Sequence, residues 1–195
     1  MKKIIVGLTG LSGSGKSTAA RFFKEKGACV IDCDALAHRA LCSEKIKKEL
    51  QTEFGSPVFD ENGNVSRKKL GAIVFSDGEK LKKLNRIVHP AVCSEALGTI
   101  AASDAHLAVI DGSELESSGI DEKCSHIIVI SARRDIRLRR IIKRDSIAAS
   151  DAQRRIDAQR PYSKKAIIIE NNGSADELYS HLSEIYNRIM GENNA

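Results

Sequence analysis

Ile4-Ile5-Val6-Gly7-Leu8-Thr9 runs directly into Gly10-Leu11-Ser12-Gly13-Ser14-Gly15-Lys16-Ser17, and that octet opens a stretch of helical periodicity. It has the G-x-x-x-x-G-K-[ST] spacing together with the context the spacing requires, a strand before it and a helix after it. Glycines at these positions let the backbone turn with positive φ and aim successive N–H groups at one point, while the start of the helix adds its positive dipole end. A phosphate chain is the chemistry that answers such a cradle. Gly13, Ser14, Gly15, Lys16, Ser17 and Thr18 are therefore the candidate nucleotide-binding residues. Lys16 is placed to reach β- and γ-phosphates, and the Ser17 hydroxyl to sit on a Mg²⁺ ion bridging them. The alternative is a glycine-rich strand-to-helix turn with an incidental lysine, which the complete octet in its full context disfavours.

Working outward, short β-branched runs at 4–9, 29–32, 107–111, 127–131 and 166–170 alternate with segments of helical periodicity at 17–26, 45–54, 80–88, 133–144 and 151–159. The runs are almost continuously apolar, as strands buried on both faces must be. This alternation predicts an α/β fold, a doubly wound parallel five-stranded sheet with helices on both sides. Gly27 ends the first helix, and Ser174 with Glu177 forms a capping box for a last helix reaching about Met190. The stretch 35–103 is far longer than a crossover needs, which predicts a helical substrate-side subdomain. Its Asp60-Glu61-Asn62-Gly63-Asn64 reads as a turn. The expected division is a core of about 1–34, 104–132 and 164–195, a substrate subdomain of about 35–103, and a lid of about 133–163.

Composition narrows the function classes. At 195 residues the chain suits one α/β domain with a small inserted lid, and no stretch reads as a signal peptide or membrane span, so a soluble, cytoplasmic protein without a membrane partner is expected. Lys and Arg total 31 against 26 acidic residues, a net +5 that suits anionic ligands without singling out nucleic acid. The basic residues crowd between Arg133 and Lys165, where only Tyr162 is aromatic, so stacking platforms for single strands are not expected. Cys29, Cys33, Cys42, Cys93 and Cys124 form an odd set without a C-x-x-C pair, which indicates neither a zinc site nor a disulfide framework.

Three further constellations carry chemistry. Asp32 and Asp34 close the second strand, and in a doubly wound sheet the strand ends line the ligand crevice. A carboxylate there can take a proton from an attacking hydroxyl and hold magnesium through water. Asp34 can equally be the N-cap of a helix over residues 35–41, and spacing alone leaves both open. Asp111 ends the third strand, where a metal-holding aspartate or a simple turn former would sit. Arg133, Arg137, Arg140 and Arg144 share one helix face, opposite Leu138, Ile141 and Ile142. One or two of these arginines can cap a polyphosphate while the rest are solvated. His89, in Leu84-Asn85-Arg86-Ile87-Val88-His89-Pro90, falls where Pro90 predicts a helix break.

Together these residues resemble the bacterial dephospho-coenzyme A kinase family nearly end to end. The resemblance rests on Val6-Gly7-Leu8-Thr9-Gly10, Val30-Ile31-Asp32-Cys33-Asp34 with Ala37-His38-Arg39, and Phe54-Gly55 with Asp60-Glu61-Asn62-Gly63. It continues through Leu84-Asn85 with His89-Pro90, Arg144-Asp145, Arg155 with Gln159, and Asn171-Asn172-Gly173. The resemblance implies strand order 2-3-1-4-5 and ATP-dependent phosphorylation of the ribose 3′-hydroxyl of dephospho-CoA. It implies ATP and Mg²⁺ as cofactors, Asp34 as the catalytic base, Gly13 to Thr18 around ATP, and Arg144 in a lid over the phosphates. Lys16, Asp34 and Arg144 are then the catalytic candidates; Asp34, Arg39 and His89 the substrate contacts; Ser17 and Asp111 the metal ligands. A monomer or weak homo-oligomer is expected, without nucleic acid. The chain departs from the family at Ser113-Glu114-Leu115-Glu116-Ser117, where a Pro-Leu-Leu-Phe-Glu-like segment is usual, so no substrate contact is carried to this loop. A kinase for another nucleoside or nucleotide is the nearest alternative, and an RNA-associated NTPase or switch the more distant one. The chain has no N-K-x-D motif, and Asp111-Gly112-Ser113-Glu114 fails D-x-x-G at its last position.

Overall fold

The computed structural model describes residues 3–192, which divide into two compact units. One is built from the chain up to Ile31 and from Asp104 onward, the other from Asp32–Ser103. The first unit is organised by a five-stranded sheet in the order β2-β3-β1-β4-β5. Its strands are β1 (Ile4–Thr9), β2 (Cys29–Asp32), β3 (Leu107–Asp111), β4 (His126–Ser131) and β5 (Ile167–Glu170). β1 pairs in parallel with β3, Ile4 opposite Leu107 and Leu8 opposite Asp111, and with β4, Val6 opposite His126. β5 pairs in parallel with β4, Ile128 opposite Ile167. The fourth strand therefore starts one residue earlier than the sequence pattern indicates, and the fifth one residue later.

The alternation of side chains along β1 sends Ile4, Val6 and Leu8 to one face, where they join Leu107, Val109, Ile128, Ile130 and Ile169. Two helices cover that face. α1 (Lys16–Glu25) contributes Ala19, Phe22 and Phe23, and α9 (Ala175–Glu192) contributes Leu178, Leu182 and Ile189. Burial of each such side chain is worth about 1.5–3 kcal/mol, so this cluster is a major source of the unit's stability. Phe22 sits edge-on to Phe23, Tyr179 and Tyr186, with centroids 5.3–6.3 Å apart. The Ser174 Oγ accepts the Glu177 N–H at 3.2 Å, so the cap at the start of α9 forms as its spacing predicts.

Between β3 and β4 lie α6 (Leu115–Ser118) and a 3₁₀ turn, Ile120–Lys123. After β4 come α7 (Arg134–Asp145) and α8 (Ala149–Asp157), which pack on each other through Ile141, Ala152 and Ile156, with Leu138, Ile142 and Ile147 around them.

The second unit is helical: α2 (Cys33–Ala40), α3 (Glu44–Phe54), a 3₁₀ turn at Ser56–Val58, α4 (Arg67–Val74) and α5 (Gly78–Ala102). Asp60 Oδ1 accepts N–H groups from Asn62 and Asn64, and Gly63 takes φ 75, which makes 60–64 the turn its composition indicates. The expected helix break at His89-Pro90 is absent, and α5 continues through Pro90 to Ala102. Val88, Val92, Ala96 and Ile100 recur every four residues and are buried, with α2, α3 and α4 packed on α5. That packing outweighs the roughly 3 kcal/mol that a proline costs inside a helix. Pro90 itself is exposed.

Candidate active site

The turn after β1 is held open by its glycines. Gly13 has φ 79, and a Cβ there would lie 2.7 Å from the Arg137 carbonyl oxygen; Gly15 has φ 103, and a Cβ would strike Asn171 Nδ2 at 2.1 Å. Both positions exclude side chains on conformation and on space. Helix α1 begins at Lys16 without a side-chain cap, which leaves its N-terminal N–H groups to an anion.

A set of side chains from later in the chain fixes this turn by its carbonyls. Arg137, only 7% exposed, donates from Nε to the Ser12 carbonyl at 3.0 Å and from Nη2 to Gln159 Oε1 at 2.9 Å. The same Gln159 oxygen accepts the Ser12 N–H at 3.0 Å. Arg140 donates from Nη1 to the Asn171 carbonyl at 3.0 Å and approaches the Gly13 and Ser14 carbonyls at 3.4 Å. The buried Asn171 donates from Nδ2 to the Ser14 carbonyl at 2.7 Å. With the carbonyls turned toward these donors, and with the Ser12 N–H taken by Gln159 and the Ser14 N–H by the Leu11 carbonyl at 3.0 Å, the N–H groups of Gly13 and Gly15 are left for the opposite side. Burial draws Arg137 below its ordinary value, yet a guanidinium stays charged at any working pH. The stripe Arg133, Arg137, Arg140 and Arg144 is thus not one solvated face, because Arg137 lies inside with Ile136 and Ile141. Spacing could not reveal this, since it reports angle around a helix and says nothing of what the neighbouring elements offer a guanidinium.

Lys16 Nζ forms an ion pair with Asp111 Oδ1, both side chains being largely buried. Ser17 is exposed at the start of α1. Arg144 bonds Asp145 through Nε at 2.7 Å and Nη2 at 2.9 Å, and Nη2 lies 3.4 Å from Ser12 Oγ. P-loop, Lys16, Asp111 and Arg144 are thereby brought together within one unit.

Asp34, Arg39 and His89 belong to the other unit. Asp32, and not Asp34, caps α2: its Oδ1 accepts the Ala35 N–H at 2.9 Å. Asp34 lies in the first turn, exposed, and its carboxylate has no hydrogen bond or ion pair among the described residues. The capping reading of Asp34 is corrected, because the strand leads into the helix two residues earlier than expected. Arg39 pairs with Glu95 at 2.7 Å, an exposed contact of small energetic weight. His89 is half-buried on α5.

Two observations test whether this site fits a nucleotide phosphate with its metal. Ser14 Oγ is buried inside the P-loop with no hydrogen-bond partner among the described residues, an acceptor and donor already desolvated and aimed into the turn. The glycine cradle is also one that any Cβ would fill. Both fit. Among the described residues no group of three or more His, Cys, Asp and Glu is placed to hold a metal alone. The donors present, the Ser17 hydroxyl and the Asp111 carboxylate, suit an ion completed by phosphate oxygens and water.

Sequence reasoning assigned no part to Gln159 or Asn171, although both fall in the segments that carry the family resemblance. The comparisons agree with that resemblance. The family model described as dephospho-CoA kinase matches residues 4–177. A dephospho-CoA kinase of Aquifex aeolicus is 37% identical, covering 97% of this chain and 98% of that protein. One from Fusobacterium nucleatum is 35% identical over 97% of this chain and all of its own length. A crystal structure of a Thermus thermophilus protein superposes with a TM-score of 0.82 at 31% identity, over 96% of this chain and 98% of that one. With the P-loop, its supports and its lysine in place and the match running nearly from end to end, the chain belongs to the dephospho-CoA kinase family.

Proposed function

We propose that the chain transfers the γ-phosphoryl group of ATP to the ribose 3′-hydroxyl of dephospho-CoA, releasing CoA and ADP. The observation that carries this reading is family membership over residues 4–177, P-loop included. The bond between the γ-phosphorus and the bridging oxygen breaks, a bond from the 3′-oxygen to that phosphorus forms, and the hydroxyl proton goes to a base.

Asp34 takes that proton in this reading. Its carboxylate is free of ion pairs and hydrogen bonds among the described residues, so it has no internal donor to displace before it can accept one. Gly13 and Gly15 hold the phosphates through backbone N–H groups, Ser14 through its unpartnered hydroxyl and Thr18 from the first turn of α1, and Lys16 follows the charge that grows on the transferring group. Lys16 is held by Asp111 in the structure, and Ser17 and Asp111 are the residues that would hold Mg²⁺. Mg²⁺, when bound, supplies neutralisation of the β- and γ-phosphate charge. Arg144 contributes a guanidinium from the lid of about 133–163, while Arg39 and His89, in the substrate subdomain of about 35–103, bind the acceptor. No helix among the described residues is long and apolar enough to cross a membrane. In this reading the enzyme works in the cytoplasm, as a monomer or weak oligomer, on a small molecule.

The test is direct. Protein, Mg-ATP and dephospho-CoA are mixed, and the product is read by mass and by its 3′-phosphate position. Formation of CoA is expected, and a preference for a nucleoside monophosphate as acceptor overturns the substrate reading.

A further inference from the structure

Helix α7 ends on a carboxylate, at the end where unpaired carbonyls already make the potential negative. Asp145 is the last residue, and Ser146 leaves the helix with φ 52, a left-handed conformation unusual for serine. Such a placement is unfavourable unless cations compensate it, and two do. Arg144 offers the two-pronged fork, Nε to Oδ1 at 2.7 Å and Nη2 to Oδ2 at 2.9 Å. Arg155, from α8, bonds Oδ2 through Nη1. The Arg144 fork, with the Arg155 charge behind it, holds the Asp145 carboxyl down from 3.8 to about 2, so the acceptor is ionised throughout the working range.

The edge of Arg144 that this fork uses matters. Nε and Nη2 face Asp145, Nη2 also lies 3.4 Å from Ser12 Oγ of the P-loop, and Nη1 has no hydrogen bond among the described residues. Two guanidinium groups brought this close repel one another without an anion between them. We infer that Asp145 is a positioning residue, a shared carboxylate that ties α7 to α8, holds Arg144 against Ser12 of the P-loop with its Nη1 edge open, and keeps Arg155 beside it. Asp145 touches no reacting atom; it acts by sparing Arg144 the rotamer freedom that would otherwise be lost in each turnover. This rests on the reading that Arg144 meets the transferring phosphate.

The test uses wild type, D145N, R144A and the double variant, each assayed for CoA formation and for Mg-ATP affinity by calorimetry, with melting temperatures recorded. D145N keeps the shape and one acceptor oxygen and removes the charge. It is expected to lower kcat by ~10-fold, to leave the KM for dephospho-CoA within ~2-fold, and to add no more than ~2-fold to the loss in R144A, as residues acting as one unit do. An equal fall from D145N with and without Arg144 shows support of the helix pair alone and overturns the inference. So does a faster D145N enzyme, which would make Asp145 a brake on Arg144. An R144A enzyme with unchanged kcat removes both the lid role of Arg144 and the inference drawn from it. A wild-type protein that binds Mg-ATP but makes no CoA fails only the acceptor reading, and the same non-additivity in Mg-ATP affinity then decides the part played by Asp145.

Discussion

Asp32 commits its carboxylate to the Ala35 N–H of α2, while Asp34, two residues on, keeps its own clear of partners among the described residues. Strand and helix meet between them, and this junction separates the two roles that spacing had left joined on one residue. Asp34→Asn is expected to lower kcat by ~10² to 10⁴-fold, the usual worth of a positioned general base. Because Asp34 is not the cap, its loss touches stability only through a weak favourable interaction with the helix dipole, below about 1 kcal/mol. Asp32→Ala, by contrast, is expected to cost ~1 kcal/mol in a chemical-denaturation series, the common price of a lost N-cap. An Asp34→Asn enzyme of full activity would remove Asp34 from the mechanism.

At the scale of the element, α5 shows where local rules lose to packing. Pro90 lacks the N–H that would bond the Arg86 carbonyl, and its ring crowds the preceding turn, so a sequence window centred there reads as a break. Four buried residues at four-residue spacing carry the helix through. Pro90 is exposed, so Pro90→Ala is expected to raise stability, by up to ~3 kcal/mol on intrinsic propensity. A thermal scan checks this, and a lowered melting temperature would show that the Pro90 ring contributes more to the folded chain than its helix propensity costs.

At the scale of the molecule, the segment that returns from α8 to the sheet is fastened by acidic groups beyond β3. The buried Asp121 accepts the Tyr162 hydroxyl at 2.9 Å and Lys164 Nζ at 2.7 Å, while Glu116 Oε2 accepts the Ser163 N–H at 3.0 Å. The divergent 113–117 loop thus holds the returning chain through Glu116. Burial, reinforced by the bond donated to Asp121, pushes Tyr162 from 10 up to about 12, and Lys164 is raised by its bond to the same carboxylate. Burial, with the Asp121 charge second, pushes the Cys124 thiol from 9 to about 12. Groups whose values rise on folding stabilise fully below their unfolded values and lose that contribution as pH climbs toward the folded ones. Stability is therefore expected to fall between about pH 9 and 12, less steeply in Tyr162→Phe, as denaturation midpoints across that range will register. Parallel curves for the two proteins would count against the clamp.

The order of strands and helices, the P-loop and its lysine, and the cap at Ser174 were all legible in the chain, because each depends on residues within about one turn or one strand of each other. Periodicity marks which faces are apolar, and glycines mark where φ must turn positive, before any tertiary contact exists. Other features needed the folded chain. The inward turn of Arg137, the bonds of Gln159 and Asn171 to the P-loop, the Lys16–Asp111 pair and the approach of Arg144 to Ser12 join residues as far as 157 positions apart. A buried charge or amide is stable only where the fold delivers a partner to it, and no local pattern encodes which distant carbonyl or carboxylate that partner will be.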